Sequence, residues 1–118
     1  MGERVPKMTP ALFHVLLALA EGPRHGYALL GAIAERTGGR IELGPSSLYY
    51  SLGRLEDAGL ITETAPGAEG DEPHEEQRRY YRLTSRGRRH LSDELRLLHG
   101  IVDHARDIGF GAAPAGRG

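Results

Sequence analysis

Between residues 44 and 61 the chain reads GPSSLYYSLGRLEDAGLI, and its hydroxyl and guanidinium side chains are suited to contact with nucleic acid. Serine is small enough to allow close approach and bonds to phosphates or bases, tyrosine adds apolar contact with thymine methyl groups, and arginine binds phosphate or guanine. The start of a helix with such a face reads base edges in the major groove. The predicted DNA-contacting residues of this segment are Ser46, Ser47, Tyr49, Tyr50 and Arg54.

These residues also have a purely structural interpretation. Ser46 and Ser47 are of the type that caps the start of a helix. Tyr49 neighbours Leu48 and Leu52, so it is equally suited to packing inside the fold. For Tyr49 the sequence leaves both roles open.

A second segment, residues 77–87, reads QRRYYRLTSRG and resembles a basic strand that leads into a helix. Arg78 and Arg79 stand nearest the expected hairpin tip, so we predict that they contact phosphates or the minor groove. The alternative is that they pair with Glu75 and Glu76, which precede them.

The formal net charge of −1 argues by itself against a nucleic-acid partner, but the charges are unevenly distributed. Residues 63–76 contain six acidic side chains and no Lys or Arg, whereas residues 77–92 contain six arginines and no acid. Because the local field governs phosphate binding, the basic run still favours DNA. The two runs can instead neutralise each other across the hairpin.

His25 and Tyr27 stand at the predicted start of a helix, where backbone N–H groups bind phosphate readily. Both are therefore further candidates for DNA contact. The alternative left open is that His25 caps the helix and Tyr27 packs within the fold.

The elements that must position these residues follow from apolar periodicity. Residues 1–8 are predicted to be a flexible arm, Thr9 and Pro10 begin a helix that Gly22 ends, and a second helix spans residues 27–37. The third helix is the segment described first. The apolar positions that should face the core are Leu12, Val15, Leu16, Leu19, Leu29, Leu30, Ile33, Leu48, Leu52 and Leu55.

Gly59 is predicted to end the third helix in the left-handed conformation. Residues 60–65 and 77–83 then form a β-hairpin, joined by an acidic loop over residues 66–76 that is longer than a tight turn.

The last helix, which Thr84 caps, has apolar residues at alternating spacings of four and three. This seam of about two heptads consists of Leu91, Leu95, Leu98, Val102 and Ala105. Leu97, Ile101 and Ile108 form a second ridge beside it. A helix with two apolar ridges needs two packing partners, so we predict that a second subunit covers the seam. Residues 110–118 are expected to be a disordered tail.

The fold class predicted from this order is α+β, mostly α: a winged helix-turn-helix with a C-terminal dimerisation helix. The DNA-binding domain should span residues 9–83, with the wing over about 60–83, and the dimerisation helix residues 84–109. The expected partners are double-stranded DNA and a second copy of the chain.

Several classes of protein are disfavoured. There is no cysteine, which excludes disulfides and thiolate metal sites and fits a reducing cytoplasm. No apolar run approaches the roughly 18 residues of a membrane span, and the N-terminus lacks a secretion signal. Motifs for catalysis, phosphate loops and zinc are absent. We therefore expect a cytoplasmic protein that is not an enzyme and has no cofactor or metal.

The chain resembles the PadR family of bacterial transcriptional regulators over residues 9–109, and its single short C-terminal helix resembles the family's smaller branch. The resemblance is carried by His25, Gly26, Tyr27, Leu48, Tyr49, Arg54, Leu55, Glu56, Gly59, Leu60, Ile61, Tyr80, Tyr81, Arg82, Leu83, Thr84 and Gly87. It implies a homodimeric repressor on a pseudo-palindromic operator. Tyr50 departs from the pattern, where proline is frequent, and the acidic insertion over residues 69–76 is unusually long.

The resemblance further implies release of DNA when a small aromatic or lipophilic effector binds near the dimer interface. We expect its cavity between the first and last helices, lined by Phe13, Leu17, Leu98 and Val102. Some relatives stack a tryptophan on the compound, and this chain has none. The alternative function is a winged-helix module that binds another protein through its acidic wing and does not bind DNA.

Overall fold

The computed structural model describes residues 5–64 and 79–111. Its elements are α1 (Pro10–Glu21), β1 (Arg24–His25), α2 (Gly26–Arg36), α3 (Pro45–Asp57), β2 (Ile61–Thr64), β3 (Tyr80–Leu83) and α4 (Ser85–Asp107). The strands form one antiparallel sheet in the order β1-β3-β2. This mostly helical arrangement, with a hairpin between α3 and a long last helix, confirms the predicted fold class.

The helix boundaries are set by the predicted capping residues. The Thr9 hydroxyl accepts a hydrogen bond from the backbone N–H of Leu12 at 3.2 Å, and Pro10 begins α1. At the end of α3, Gly59 has a φ of +81°. Leu60 completes the motif, because its backbone N–H donates to the carbonyl of Leu55 at 3.0 Å. This Schellman motif turns the chain directly from α3 into β2.

The core lies between the three N-terminal helices and the inner face of the sheet. Every apolar helix position named from the periodicity is buried except Leu30, which is partly buried. Tyr81 and Leu83 contribute from β3. Leu91 of α4 is also buried in this core, which differs from its predicted place in the dimer seam. The reason is that α4 begins against its own domain, so its first inward leucine already has an intramolecular partner.

Strand β1 was not predicted, because two residues are too few to show any alternation. Arg24 pairs with Tyr81 and His25 with Tyr80, which makes β3 the central strand. Helix α2 begins one residue earlier than predicted, at Gly26.

The N-terminal segment also differs from the flexible arm expected over residues 1–8. Pro6 is buried, and Val5 and Met8 lie partly buried against the core. These apolar side chains anchor residues 5–8 to the domain.

Some predictions fall on parts of the chain outside the described residues: the acidic loop over residues 66–76, Arg78, and residues 112–118 of the tail. Among the residues that are described, no helix is both long and apolar enough to cross a lipid bilayer. Within the same ranges, no cluster of three or more His, Asp or Glu is arranged to hold a metal ion.

Candidate nucleic-acid interface

Helix α3 has one buried side and one side open to solvent. Leu48, Leu52 and Leu55 are at most 1% exposed and face the core. The residues exposed on the remaining surface of the helix are Pro45, Ser46, Ser47, Tyr49, Tyr50, Gly53, Arg54 and Asp57. The leucines thus fix the rotation of the helix, and the polar residues named from the sequence lie on its accessible side.

Ser46 and Ser47 do not cap α3. The N-cap is Gly44, which has an extended backbone and no side chain to offer. Neither serine hydroxyl forms a hydrogen bond with any residue that the structure describes. Both are exposed in the first turn, the part of a recognition helix that approaches base edges.

Tyr50 and Arg54 form a pair one turn apart on the exposed side of α3. The guanidinium carbon of Arg54 lies 5.9 Å from the centre of the Tyr50 ring, within the range of a cation–π contact. This contact holds the guanidinium close to the helix surface while its donors stay accessible. Tyr50 thus gives Arg54 an aromatic platform on the exposed side of α3.

Tyr49 combines the two roles that the sequence left open. It is 47% exposed, so one side of its ring is accessible. Its hydroxyl end lies against Gly26, where an added Cβ would overlap the ring. Tyr49 therefore packs the start of α3 against the start of α2, and glycine at position 26 makes room for it.

His25 and Tyr27 have different roles in the structure. The Nδ1 atom of His25 accepts a hydrogen bond from the backbone N–H of Ala28 at 3.2 Å, so His25 caps α2. The His25 ring also packs edge-on against Tyr80, with ring centres 5.1 Å apart. Tyr27 does not pack inside, since it is 64% exposed beside this cap.

Arg79 lies at the base of the wing and contacts the neighbouring strand. Its Nη1 atom is 3.4 Å from Oε2 of Glu63 on β2. A hydrogen bond with Tyr81, followed by the charge of Glu63, raises the pKa of Arg79 above its ordinary value. The ion pair crosses the hairpin; the predicted partners Glu75 and Glu76 lie outside the described residues.

Two carboxylates lie close together beneath the wing. Burial, followed by the nearby charge of Glu63, raises the pKa of Glu56 above its ordinary value. Arg79 acts in the opposite direction on Glu56. The wing base is therefore a mixed-charge cluster in which Arg79 faces Glu56 and Glu63.

Helix α4 carries a long apolar surface beyond Leu91. The exposed apolar residues along it and just past its end are Leu95, Leu97, Leu98, Ile101, Val102, Ile108 and Phe110. Leu97 and Ile101 are the most open of the helical ones, at 66% and 64%. Ala105 of the predicted seam is partly buried. An exposed apolar strip of this length is typical of a surface that binds another protein.

A groove of about 710 Å³ separates the N-terminal segment and α1 from α4. Phe13 and Leu98, two of the residues predicted for the effector cavity, line it, whereas Leu17 and Val102 do not. The full lining is Val5, Pro6, Lys7, Met8, Phe13, His90, Glu94, Leu97, Leu98 and Ile101. Its polar side chains are Lys7, His90 and Glu94, and Nε2 of His90 lies 3.6 Å from Oε2 of Glu94.

Lys7 lies beside the exposed side of α3 and was not singled out from the sequence. It lines a second, smaller cleft together with Tyr50, Ser51 and Arg54. The sequence does contain an indication of this role, because Lys7 stands between Pro6 and Met8, two residues that are able to anchor the backbone.

Comparisons with known proteins agree with this geometry. A family model described as the transcriptional regulator PadR-like family matches residues 15–93. A PadR family transcriptional regulator from Eggerthella lenta has a similar structure, with 28% identity, coverage of 82% of this chain and 81% of that chain, and a TM-score of 0.60. For a transcriptional regulator from Clostridium thermocellum the identity is 25%, the coverages 78% and 88%, and the TM-score 0.59.

Two curated proteins are also similar in sequence. A 37.1 kDa protein in transposon Tn4556 of Streptomyces fradiae is 55% identical over 47 residues, which are 40% of this chain but only 13% of that protein. Protein X of Lysinibacillus sphaericus is 32% identical over 79 residues, covering 67% of this chain and 69% of that protein. Because the family model spans α1 to the first part of α4, including the exposed α3 and both described wing strands, the chain belongs to the PadR-like family of DNA-binding transcriptional regulators.

Proposed function

We propose that this regulator is a homodimeric repressor that places one α3 helix in the major groove of each half of a pseudo-palindromic operator. The observation that carries the proposal is the exposed side of α3, with Ser46 and Ser47 in the first turn and Tyr50 and Arg54 further along. The small residues permit close approach to bases, and Arg54 supplies bidentate donors for guanine or phosphate.

Tyr27 and Arg79 are proposed to extend this surface beyond α3. Tyr27 is exposed at the start of α2, next to the backbone N–H groups that favour phosphate. Arg79 brings positive charge to the wing base, where its proposed role is a contact with the backbone next to the minor groove. His25 contributes by capping α2, which keeps Tyr27 in place.

The second subunit of the proposed dimer covers the apolar surface of α4. Leu95, Leu98 and Val102 lie on the predicted seam and are all exposed in the single chain. Burial of apolar area is the main driving force for such an association. A two-fold axis along this seam would space the two α3 helices by about one DNA turn, roughly 34 Å.

Repression is proposed to be relieved by a small aromatic or lipophilic compound bound in the groove between α1 and α4. The groove's volume of about 710 Å³ lies in the range of small-molecule sites. Phe13 and Leu98 supply apolar contact, and the groove adjoins the seam, so a bound compound would change the packing of the second subunit.

The test is selection of genomic DNA fragments by the purified protein at about 150 mM salt, where non-specific binding is weak. Enrichment of an inverted repeat with half-sites about ten base pairs apart is the expected result. A Tyr50→Ala, Arg54→Ala double variant, which leaves the buried leucines intact, should lose the enrichment while keeping its circular dichroism spectrum. No enrichment from folded wild-type protein would contradict the proposal and favour the protein-interaction module.

A further inference from the structure

The N-terminal segment holds a lysine at a fixed place beside α3. Pro6 is buried, and Val5 and Met8 pack against the core, while Lys7 between them is exposed. The anchored backbone removes much of the conformational freedom that a lysine on a flexible arm would lose on binding. The packed residues on either side of Lys7 therefore hold its backbone in place at the protein surface.

Lys7 lines two clefts, and the smaller one contains two cations and no carboxylate. Its volume is about 220 Å³, and its lining consists of Pro6, Lys7, Thr9, Leu12, Tyr50, Ser51 and Arg54. Neither Lys7 nor Arg54 forms an ion pair with any residue in the described ranges. The Thr9 hydroxyl is already used to cap α1.

We propose that Lys7 and Arg54 together clamp one phosphate of the DNA backbone at the edge of the major groove. This rests on the proposed DNA binding by α3, and it makes the N-terminal segment part of the DNA interface. An ammonium and a guanidinium that line the same cleft suit a phosphate group, which accepts charge-assisted hydrogen bonds from both. The source of the phosphate is DNA because Tyr50 and Arg54 also belong to the exposed side of α3.

A phosphate contact predicts a specific change in salt dependence. Lys7→Gln should lower the slope of log affinity against log salt by about one per subunit, hence about two for a dimer on a full operator. Because phosphates carry no sequence information, the variant should weaken binding to the selected operator and to a random duplex of equal length by the same factor. Lys7→Arg should keep the wild-type slope.

The matched control is Arg106→Gln, which removes one exposed cation from the last turn of α4 and should leave the slope unchanged. Both slopes are obtained from fluorescence anisotropy titrations of labelled duplexes over a range of salt concentrations. Wild-type binding with an unchanged slope for Lys7→Gln would overturn the clamp and leave the proposed function standing. Failure of the wild-type protein to bind either duplex would overturn the proposed function and the clamp together.

Discussion

The backbone carbonyl of Leu60 lies so close to Gly87 that no side-chain carbon fits between them. Thr84 reinforces this contact, because its backbone N–H and its hydroxyl each donate to the Leu60 carbonyl at 3.0 Å. The hydroxyl also lies 2.7 Å from the carbonyl oxygen of Gly59. The start of α4 is thus joined to the turn that ends α3, so the direction of the apolar helix α4 is fixed relative to α3, the proposed DNA-recognition helix.

Gly87→Ala should destabilise the protein by about 1–3 kcal/mol, because a Cβ would meet backbone that cannot move without shifting α4. The measurement is the free energy of unfolding in urea. Gly31→Ala is the matched control, since Gly31 is an exposed glycine within α2 with open space around it. Gly31→Ala should raise the free energy of unfolding by up to about 1 kcal/mol, because alanine has the higher helix propensity. Equal stabilities of the two variants would contradict this account of the junction.

Gly26→Ala should reduce DNA affinity more than it reduces stability. The new Cβ displaces the end of the Tyr49 ring, which is partly exposed and free to swing outward, so the core is barely disturbed. The loss of that contact removes a link between α2 and α3. Operator affinity and melting temperature should be measured for Gly26→Ala, Tyr49→Ala and the double variant. If Gly26 acts on DNA binding through Tyr49, Gly26→Ala should have no further effect on operator affinity in the Tyr49→Ala protein. Additive losses of affinity in the double variant would exclude this coupling.

Leu98→Glu should convert the proposed dimer into monomers and abolish operator binding, because the interface would have to bury an unpaired carboxylate. Light scattering gives the mass in solution. His99→Glu adds the same side chain at the next residue of α4, outside the predicted seam, and should remain dimeric. A dimeric Leu98→Glu protein would remove Leu98 from the interface.

Glu63→Gln should strengthen DNA binding by breaking the ion pair of Arg79 and by removing a negative charge near the proposed phosphate contact. Stability should change little, since an exposed ion pair contributes at most about 1 kcal/mol. The gain in affinity should disappear in an Arg79→Ala background. A gain in affinity that persists in the Arg79→Ala background would mean that Glu63 acts on DNA only through its own charge.

Glu56→Gln should stabilise the protein at neutral pH and lose that advantage in acid. The folded state raises the pKa of Glu56 above its ordinary value of 4.5. Protonation of Glu56 therefore stabilises the folded state below pH 4.5, and this stabilisation is lost as the pH rises through the folded-state pKa. At neutral pH the ionised carboxylate is thus mildly destabilising, by less than about 0.5 kcal/mol for a residue near the surface. Urea denaturation of both proteins at neutral pH and near pH 4 tests the sign.

Local patterns predicted the helices well because the information is contained within each segment. The leucines of α3 repeat at helical spacing, and Gly59 marks the turn that follows, so both the buried side and the end of the helix were correct. The exposed positions of Ser46 and Ser47 follow from the same rotation.

Local patterns missed or misplaced the features that depend on contacts between residues far apart in the chain. Strand β1 exists because Arg24 and His25 meet β3 more than fifty residues later, and nothing local marks it. Leu91 satisfies the heptad spacing, yet its partner is the core of its own domain. The contact of Arg79 with Glu63 depends on strand register, which the sequence alone did not provide.

The central position of β3 has a consequence for the length of the connection that precedes it. Because β3 is paired along both edges, with β1 and with β2, its position does not depend on how many residues link it to β2. Loop closure is only weakly sensitive to length, about 0.6 kcal/mol for each doubling. Insertions or deletions between Thr64 and Arg79 are therefore expected to leave the position of β3 unchanged, and a fluorophore attached there is expected to leave the domain folded.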